Sequence, residues 1–123
     1  MRIKLPIQTK EIVEDKLLKT EGEKEFELDT TLASQIRYET KFPELANNED
    51  LFEYSKRISA VEQLSAAATI SKMKILYCWL DTDIEFIDFL KMFDLADFEY
   101  INKLTKAIQK SFELVFNSSA EKN

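Results

Sequence analysis

Five carboxylates lie among large apolar side chains in the segment Leu80–Asp94, LDTDIEFIDFLKMFD. Such acids could bind a metal ion, act as an acid/base pair, or only form the solvent-exposed side of a helix. The run from Asp81 to Glu85 imitates the start of a calcium loop, with oxygen ligands at positions 1, 3 and 5. Position 6 should be Gly and position 12 Glu, but the sequence has Phe86 and Met92 there. We therefore do not predict calcium binding.

A magnesium site is the second possibility, as in an all-α nucleotide pyrophosphohydrolase that holds the metal between two helices. Asp50 and Glu53, and likewise Glu85 and Asp88, have the i, i+3 spacing that places two acids on one helix face. The helical wheel of the Leu80–Asp94 segment, however, places Glu85 and Asp88 outside a stripe of four apolar residues. That stripe consists of Phe86, Phe89, Leu90 and Phe93. Burying that stripe would contribute roughly 6–12 kcal/mol. We therefore predict that the acids face solvent, and that the chain is not an enzyme and has no catalytic, cofactor-binding or metal-binding residue.

Three further apolar residues, Ile84, Ile87 and Met92, lie outside this stripe. A partly apolar outer face is typical of a contact with another protein. Alternatively, the N-terminal part of the chain could cover it. Both readings concern association rather than catalysis.

The composition excludes several classes of protein. The chain has no His and one Cys, Cys78, which removes His-activated nucleophiles, the commonest zinc ligand and intramolecular disulfides. A net charge of −6 argues against binding a nucleic-acid backbone. No apolar run approaches the roughly 18 residues of a membrane span. We expect a soluble intracellular protein that does not contact membranes.

Residues 1–29 are predicted to form a small β-hairpin or arm. Ile3, Leu5 and Ile7 alternate with polar residues, and Pro6 favours an edge strand. Phe26 and Leu28 repeat the alternation. Residues 9–22 could be a short helix or a strand that turns at Glu21-Gly22, and the hairpin is preferred.

From residue 30 onward the patterns are helical, and a helical domain is predicted over residues 30–117. The helices are expected from Leu32 to Lys41, from the Asn47-Asn48 cap to about Val61, from Ala60 to Leu80, within Leu80–Asp94, and from Leu95 to Phe116. The Ala60–Leu80 helix is apolar on every side in its second half, so it should be central. The last helix has one apolar face: Phe98, Ile101, Leu104, Ile108, Phe112, Val115 and Phe116. The fold class predicted is mostly α, without a substantial sheet and so close to all-α, with about five helices around a central apolar helix and a frayed tail at 118–123.

The segment LDTTLASQIRYETKFPEL, Leu28 to Leu45, resembles the opening of the tail assembly chaperones of long-tailed (siphovirus-type) phages and prophages of Gram-positive bacteria. The matching pieces span roughly Leu28 to Leu95: Arg37-Tyr38-Glu39, Phe42-Pro43-Glu44, the helix around Tyr54 to Ile58, and the region Tyr77 to Phe93.

The resemblance implies a non-catalytic protein of the host cytoplasm that coats the tape measure protein, associates with itself, and recruits tail tube subunits. Its partner-binding residues would include Arg37, Tyr38 and Phe42, beside Ile84, Ile87 and Met92 predicted above. It also implies a longer form made by ribosomal frameshifting, for which the codons of residues 121–123 could supply a run of adenines. The alternatives are the magnesium pyrophosphohydrolase and an acidic adaptor or inhibitor, which would gather its acids in a stripe.

Overall fold

The computed structural model describes residues 1–120, and it is an α/β fold rather than a mostly α or all-α one. Helix accounts for 51% of the chain and strand for 24%. The elements follow in the order β1 (Arg2–Val13), β2 (Lys16–Leu28), α1 (Ala33–Lys41), α2 (Pro43–Ala46), α3 (Leu51–Ser59), α4 (Ala66–Cys78), β3 (Leu80–Asp81), α5 (Phe86–Leu90) and α6 (Phe98–Ala120). Of the predicted polar tail, residues 121–123 lie outside the described part of the chain, as does the predicted site of frameshifting.

The strands form one antiparallel sheet in the order β1-β2-β3, which is why the predicted fold class was wrong. β1 and β2 pair along their whole length, and the turn between them is Glu14-Asp15. Both turn residues have positive φ, 51° and 64°, as a two-residue hairpin turn of this hand requires. The predicted turn at Glu21-Gly22 is therefore wrong, and residues 9–13 and 16–22 are strand.

The base of the hairpin belongs to the core. Ile3, Leu5, Phe26 and Leu28 are buried on one face of the sheet. Two residues of β3, Leu80 and Asp81, extend the sheet beside Leu28 and Glu27. The helix predicted to run on to Leu80 stops at Cys78 because the chain turns there into this strand.

Helix α4 occupies the centre of the domain, as the apolar sequence predicted. Its second half is buried on all sides: Met73, Ile75, Leu76, Tyr77 and Cys78. It begins at Ala66, because the Ser65 side chain accepts a hydrogen bond from the N–H of Ala68 and caps the helix.

Helix α6 packs along β1 and closes that edge of the sheet. The Tyr100 hydroxyl donates a 2.6 Å hydrogen bond to the carbonyl of Pro6, and the N–H of Gln8 donates to the carbonyl of Met92 at 3.0 Å. The predicted edge position of Pro6 is confirmed. The predicted inner face of the last helix is also largely buried, but Phe98 is 69% exposed because α6 begins only at that residue, behind the Asp97 cap.

Candidate interaction surfaces

The carboxylates of the Leu80–Asp94 segment do not converge on a site. Glu85 and Asp88 are exposed, as predicted, and Phe89 of α5 is fully buried. Asp50 instead caps α3, since its side chain accepts the N–H of Glu53 at 2.8 Å. Within residues 1–120, no group of three or more acidic, Cys or His side chains is arranged to hold a metal ion. Asp50, Glu53, Glu85 and Asp88 are therefore not gathered into such a group in the described part of the chain.

The residues predicted to contact a partner on α5 divide between surface and core. Ile87 is 62% exposed and could be reached by another protein. Ile84 and Met92 are half-buried and pack against the core. Both are also tied through their backbones, because the Tyr77 hydroxyl donates to the carbonyl of Ile84 and Gln8 donates to that of Met92.

Arg37 and Tyr38, two of the partner-binding residues implied by the resemblance, hold α1 in place. Arg37 forms an ion pair with Asp29 at 2.9 Å, and its Nε donates to the carbonyl of Cys78. Tyr38 is buried and donates its hydroxyl to the carbonyl of Glu49; burial raises its pKa to about 12.

Phe42 is buried as well, with its ring edge-on to Phe86 at 5.2 Å between centroids. The side chains of Tyr38 and Phe42 are therefore not on the surface of this structure. What α1 exposes instead is Leu32 at its start and Ile36 one turn later, 88% and 61% exposed, and sequence analysis missed both. Their i, i+4 spacing on the side away from Tyr38 was the available signal.

An apolar groove lies between α4 and α6, and the end of α5 contributes to its lining. We name it the α4–α6 groove. Its volume is about 210 Å³, and it is lined by Ala66, Thr69, Ile70, Met73, Leu90, Phe93, Leu95, Ile101 and Leu104. Leu95 is 65% exposed and Ile70 42% exposed, so much of the lining is open to solvent. Phe98, one turn before Ile101 on α6, adds a further exposed aromatic ring beside it.

The outer half of the hairpin projects beyond the core, and every residue from 11 to 23 is exposed. Its tip carries four apolar residues: Ile12, Val13, Leu17 and Leu18. Leu17 faces Ile12 across the hairpin. A cluster of exposed apolar residues of this kind is a candidate contact surface.

Polar contacts with the loop before α6 support this projecting hairpin. The buried Gln8 side chain donates to Asp94 at 3.1 Å and to Asp97 at 2.9 Å. Lys10 pairs with Asp94 at 2.9 Å, and Lys19 approaches Asp97 at 3.6 Å. A hydrogen bond from the backbone of Ala96, with those from Lys10 and Gln8, lowers the pKa of Asp94 to about 2. The hairpin is thus held as an ordered element up to Lys19.

Cys78 has no feature of a reactive thiol. It is fully buried, and burial raises its pKa to about 12. Its sulfur contacts the carbonyl of Lys74 one turn earlier in α4. The thiol is a core side chain.

No protein-family model, curated protein or solved structure matches this chain, so its resemblance to the phage tail assembly chaperones is supported by its own residues alone. No helix within residues 1–120 combines the length and the apolar character needed to cross a membrane.

Proposed function

We propose that this protein is a non-catalytic assembly chaperone of a long phage tail, which acts in the host cytoplasm and binds the tape measure protein. The observation that carries the proposal is the α4–α6 groove. Its lining is almost wholly apolar, and Leu95 and Ile70 of that lining are open to solvent. A groove of this kind accepts the apolar face of a third helix, with anchoring side chains at i, i+3 or i+4, and i+7.

The tape measure protein has the chemistry that suits such a groove. The resemblance implies a very long helical partner that aggregates when its apolar side chains are exposed. Covering one apolar face of that partner while presenting an acidic exterior would keep the complex in solution, and the net charge of this chain is −6. Tail tube subunits would then displace the chaperone as the tail grows.

The exposed groove residues are well placed for displacement. Leu95 and Ile70 leave about half of their surface open, so a partner helix would bury a limited apolar area there. Limited burial at each copy gives weak and reversible binding, and many copies along one long partner supply the total affinity. A chaperone that covers its partner until tail tube subunits replace it needs weak binding by each copy and high total affinity from many copies.

The test is co-expression with the long helical protein expected from an open reading frame downstream of the gene. The chaperone should raise the soluble yield of that protein. Leu95→Lys and Ile70→Lys should lower the yield, since each places a charge in the apolar groove. Ile87→Lys is the matched control, because Ile87 is as exposed as Leu95 but lies outside the groove lining.

No increase in yield with the unmodified chain would refute the chaperone function. A loss of yield with Ile87→Lys and none with the groove variants would indicate that the partner contacts α5 instead of the groove. Circular dichroism of each variant alone should match that of the unmodified chain, because all three side chains are partly exposed.

A further inference from the structure

The outer edge of β2 is open. Pro6 pairs with Glu23 and has no N–H, so this pair makes no hydrogen bond across the hairpin, and the Pro6 carbonyl turns away from β2 to Tyr100. In an antiparallel ladder, residues whose N–H and C=O bond to the partner strand alternate with residues whose N–H and C=O point away from it. Every second residue of β2 therefore points its N–H and C=O away from β1: Leu17, Lys19, Glu21, Glu23 and Glu25.

Within the described chain, nothing else pairs with these groups. β3 covers the outer edge of β2 only at Glu27 and Leu28. No other backbone or side-chain hydrogen bond reaches the backbone from Leu17 to Glu25. An open edge of nine residues is long enough to pair with another strand.

Gly22 gives a second, independent indication. It is the single glycine of the chain and lies inside β2, where glycine weakens a strand. Its φ is not positive, and an added Cβ would meet only the Ile7 side chain at 3.8 Å, an ordinary contact. The fold of one copy therefore does not require glycine here. Glycine inside a strand is instead typical of a place where another chain approaches closely.

We propose that β2 pairs antiparallel with β2 of a second copy, around a twofold axis at Thr20. This register places Lys19 of each copy opposite Glu21 of the other, so that two ion pairs form. It also places Leu18, which is 46% exposed, opposite Gly22 of the second copy. Leu18 then lies over the glycine and against Ile7, which is the neighbour of Gly22 in its own hairpin. The pairing would form about eight backbone hydrogen bonds.

Neighbouring registers are less favourable. An axis at Glu21 or at Lys19 places that residue opposite itself, and like charges directly opposite destabilise a sheet. An axis at Gly22 brings Glu21 opposite Glu23. In the Thr20 register the unfavourable contact is Lys16 opposite Lys24, which occurs twice, once at each exposed end of the ladder, where salt screens it.

The assembly stops at two copies because the other edge of the sheet is covered. At Pro6 and Gln8 the outer edge of β1 is occupied by Tyr100 and the backbone of Met92. The paired strands bury less than the roughly 1,600 Å² of a standard interface, so we expect weak, concentration-dependent association. This pairing rests on the hairpin alone and does not depend on what occupies the α4–α6 groove.

Sedimentation equilibrium of the purified full chain between about 5 and 500 µM tests the proposal. The unmodified chain should pass from monomer to dimer. Lys19→Glu and Glu21→Lys should each remain monomeric, because like charges then face each other across the axis. An equimolar mixture of the two variants should again form dimers, since each residue 19 then meets an opposite charge at residue 21 of the other chain.

The equimolar mixture distinguishes a Lys19–Glu21 ion pair between two copies from the same ion pair within one copy. Lys19 and Glu21 also pair inside a single chain at 2.6 Å, and both variants lose that pair. Association regained on mixing can therefore come only from pairing between chains. A monomeric unmodified chain at every concentration, or a monomeric mixture beside a dimeric unmodified chain, would overturn the proposal.

Gly22→Val tests the register without charges. It should leave the urea midpoint of the monomer unchanged or higher, because valine favours strands and only Ile7 is near. It should weaken the dimer, because the valine side chain fills the space over residue 22 that Leu18 of the second copy occupies in the proposed register. Thr20→Val is the matched control on the same face and should still dimerise, because valine would face valine across the axis. A Gly22→Val variant that dimerises as well as the unmodified chain would overturn the proposed register.

Discussion

Replacing Phe89 with Ala tests the orientation of α5, on which the solvent exposure of its acids depends. The Phe89 ring is fully buried and lies 5.4 Å from the ring centre of Phe26 and 5.1 Å from that of Phe93, both edge-on. A buried Phe→Ala change typically costs about 3–5 kcal/mol through lost burial and the cavity left behind. Two edge-on ring contacts are lost as well, which favours the upper half of that range.

The variant should still be folded before urea is added, so its loss of free energy of unfolding can be measured from a urea titration. A domain of this length has a free energy of unfolding of roughly 6–18 kcal/mol, so Phe89→Ala should remain folded in buffer. With a urea m-value of about 1.5 kcal/mol/M, the upper half of the range of about 3–5 kcal/mol corresponds to a fall in the midpoint of about 3 M. The fluorescence of Trp79, the single tryptophan, follows the transition because that side chain is 6% exposed and hydrogen-bonded in the core.

The matched variant is Ile87→Ala, two residues away on the outer side of the same helix. Ile87 is 62% exposed, so its midpoint should shift by less than the equivalent of about 0.5 kcal/mol. Equal losses for the two variants, or a larger loss at Ile87, would mean that α5 presents its other side to the core. The acids Glu85 and Asp88 would then have to be reconsidered as inward-facing groups.

Three more predictions follow from buried or paired side chains. The pKa values of Asp94 and Asp97 are lowered in the folded state. The stability that these two carboxylates supply is therefore complete above about pH 4 and is lost as the pH falls towards about 2. Urea midpoints across this range should drop less in an Asp94→Asn variant than in the unmodified chain. Cys78 should not react with a thiol reagent at pH 8 until urea unfolds the domain, and rapid labelling of the native protein would contradict its burial. Ser55→Ala should cost about 1–3 kcal/mol in urea unfolding, because it leaves the buried N–H of Trp79 without its 2.9 Å partner; an unchanged midpoint would show that this bond is dispensable.

The sequence identified those elements whose signals are local. The start of α1, its end before Pro43, and the apolar second half of α4 follow from spacing and from proline geometry, and the structure confirms them. The outward position of Glu85 and Asp88 was also predictable, because the burial of the phenylalanine stripe outweighs other arrangements of this helix. In each case a window of about ten residues holds the information.

The errors arose where distant parts of the chain meet. Leu80 was predicted to end a helix, but Leu80 and Asp81 pair with residues of β2 more than fifty positions earlier, which no local pattern reveals. The hairpin turn was missed because Glu14 and Asp15 adopt positive φ without being Gly or Asn, whereas Gly22 drew attention to the wrong place. The exposed partner surfaces were mislocated for a related reason, since Tyr38 and Phe42 are large and aromatic but the fold uses them internally.

Two hydrogen bonds join β1 to the start of α6. The Tyr100 hydroxyl donates to the carbonyl of Pro6, and the Gln8 side chain donates to Asp97. A ribosome adding roughly 5–20 residues per second needs about 5–20 s to synthesise the ninety residues between these partners. During that interval the nascent hairpin has both edges exposed, and neighbouring ribosomes on the same message carry identical hairpins. We therefore expect that slow translation or premature termination before α6 leaves a fragment prone to strand exchange and aggregation.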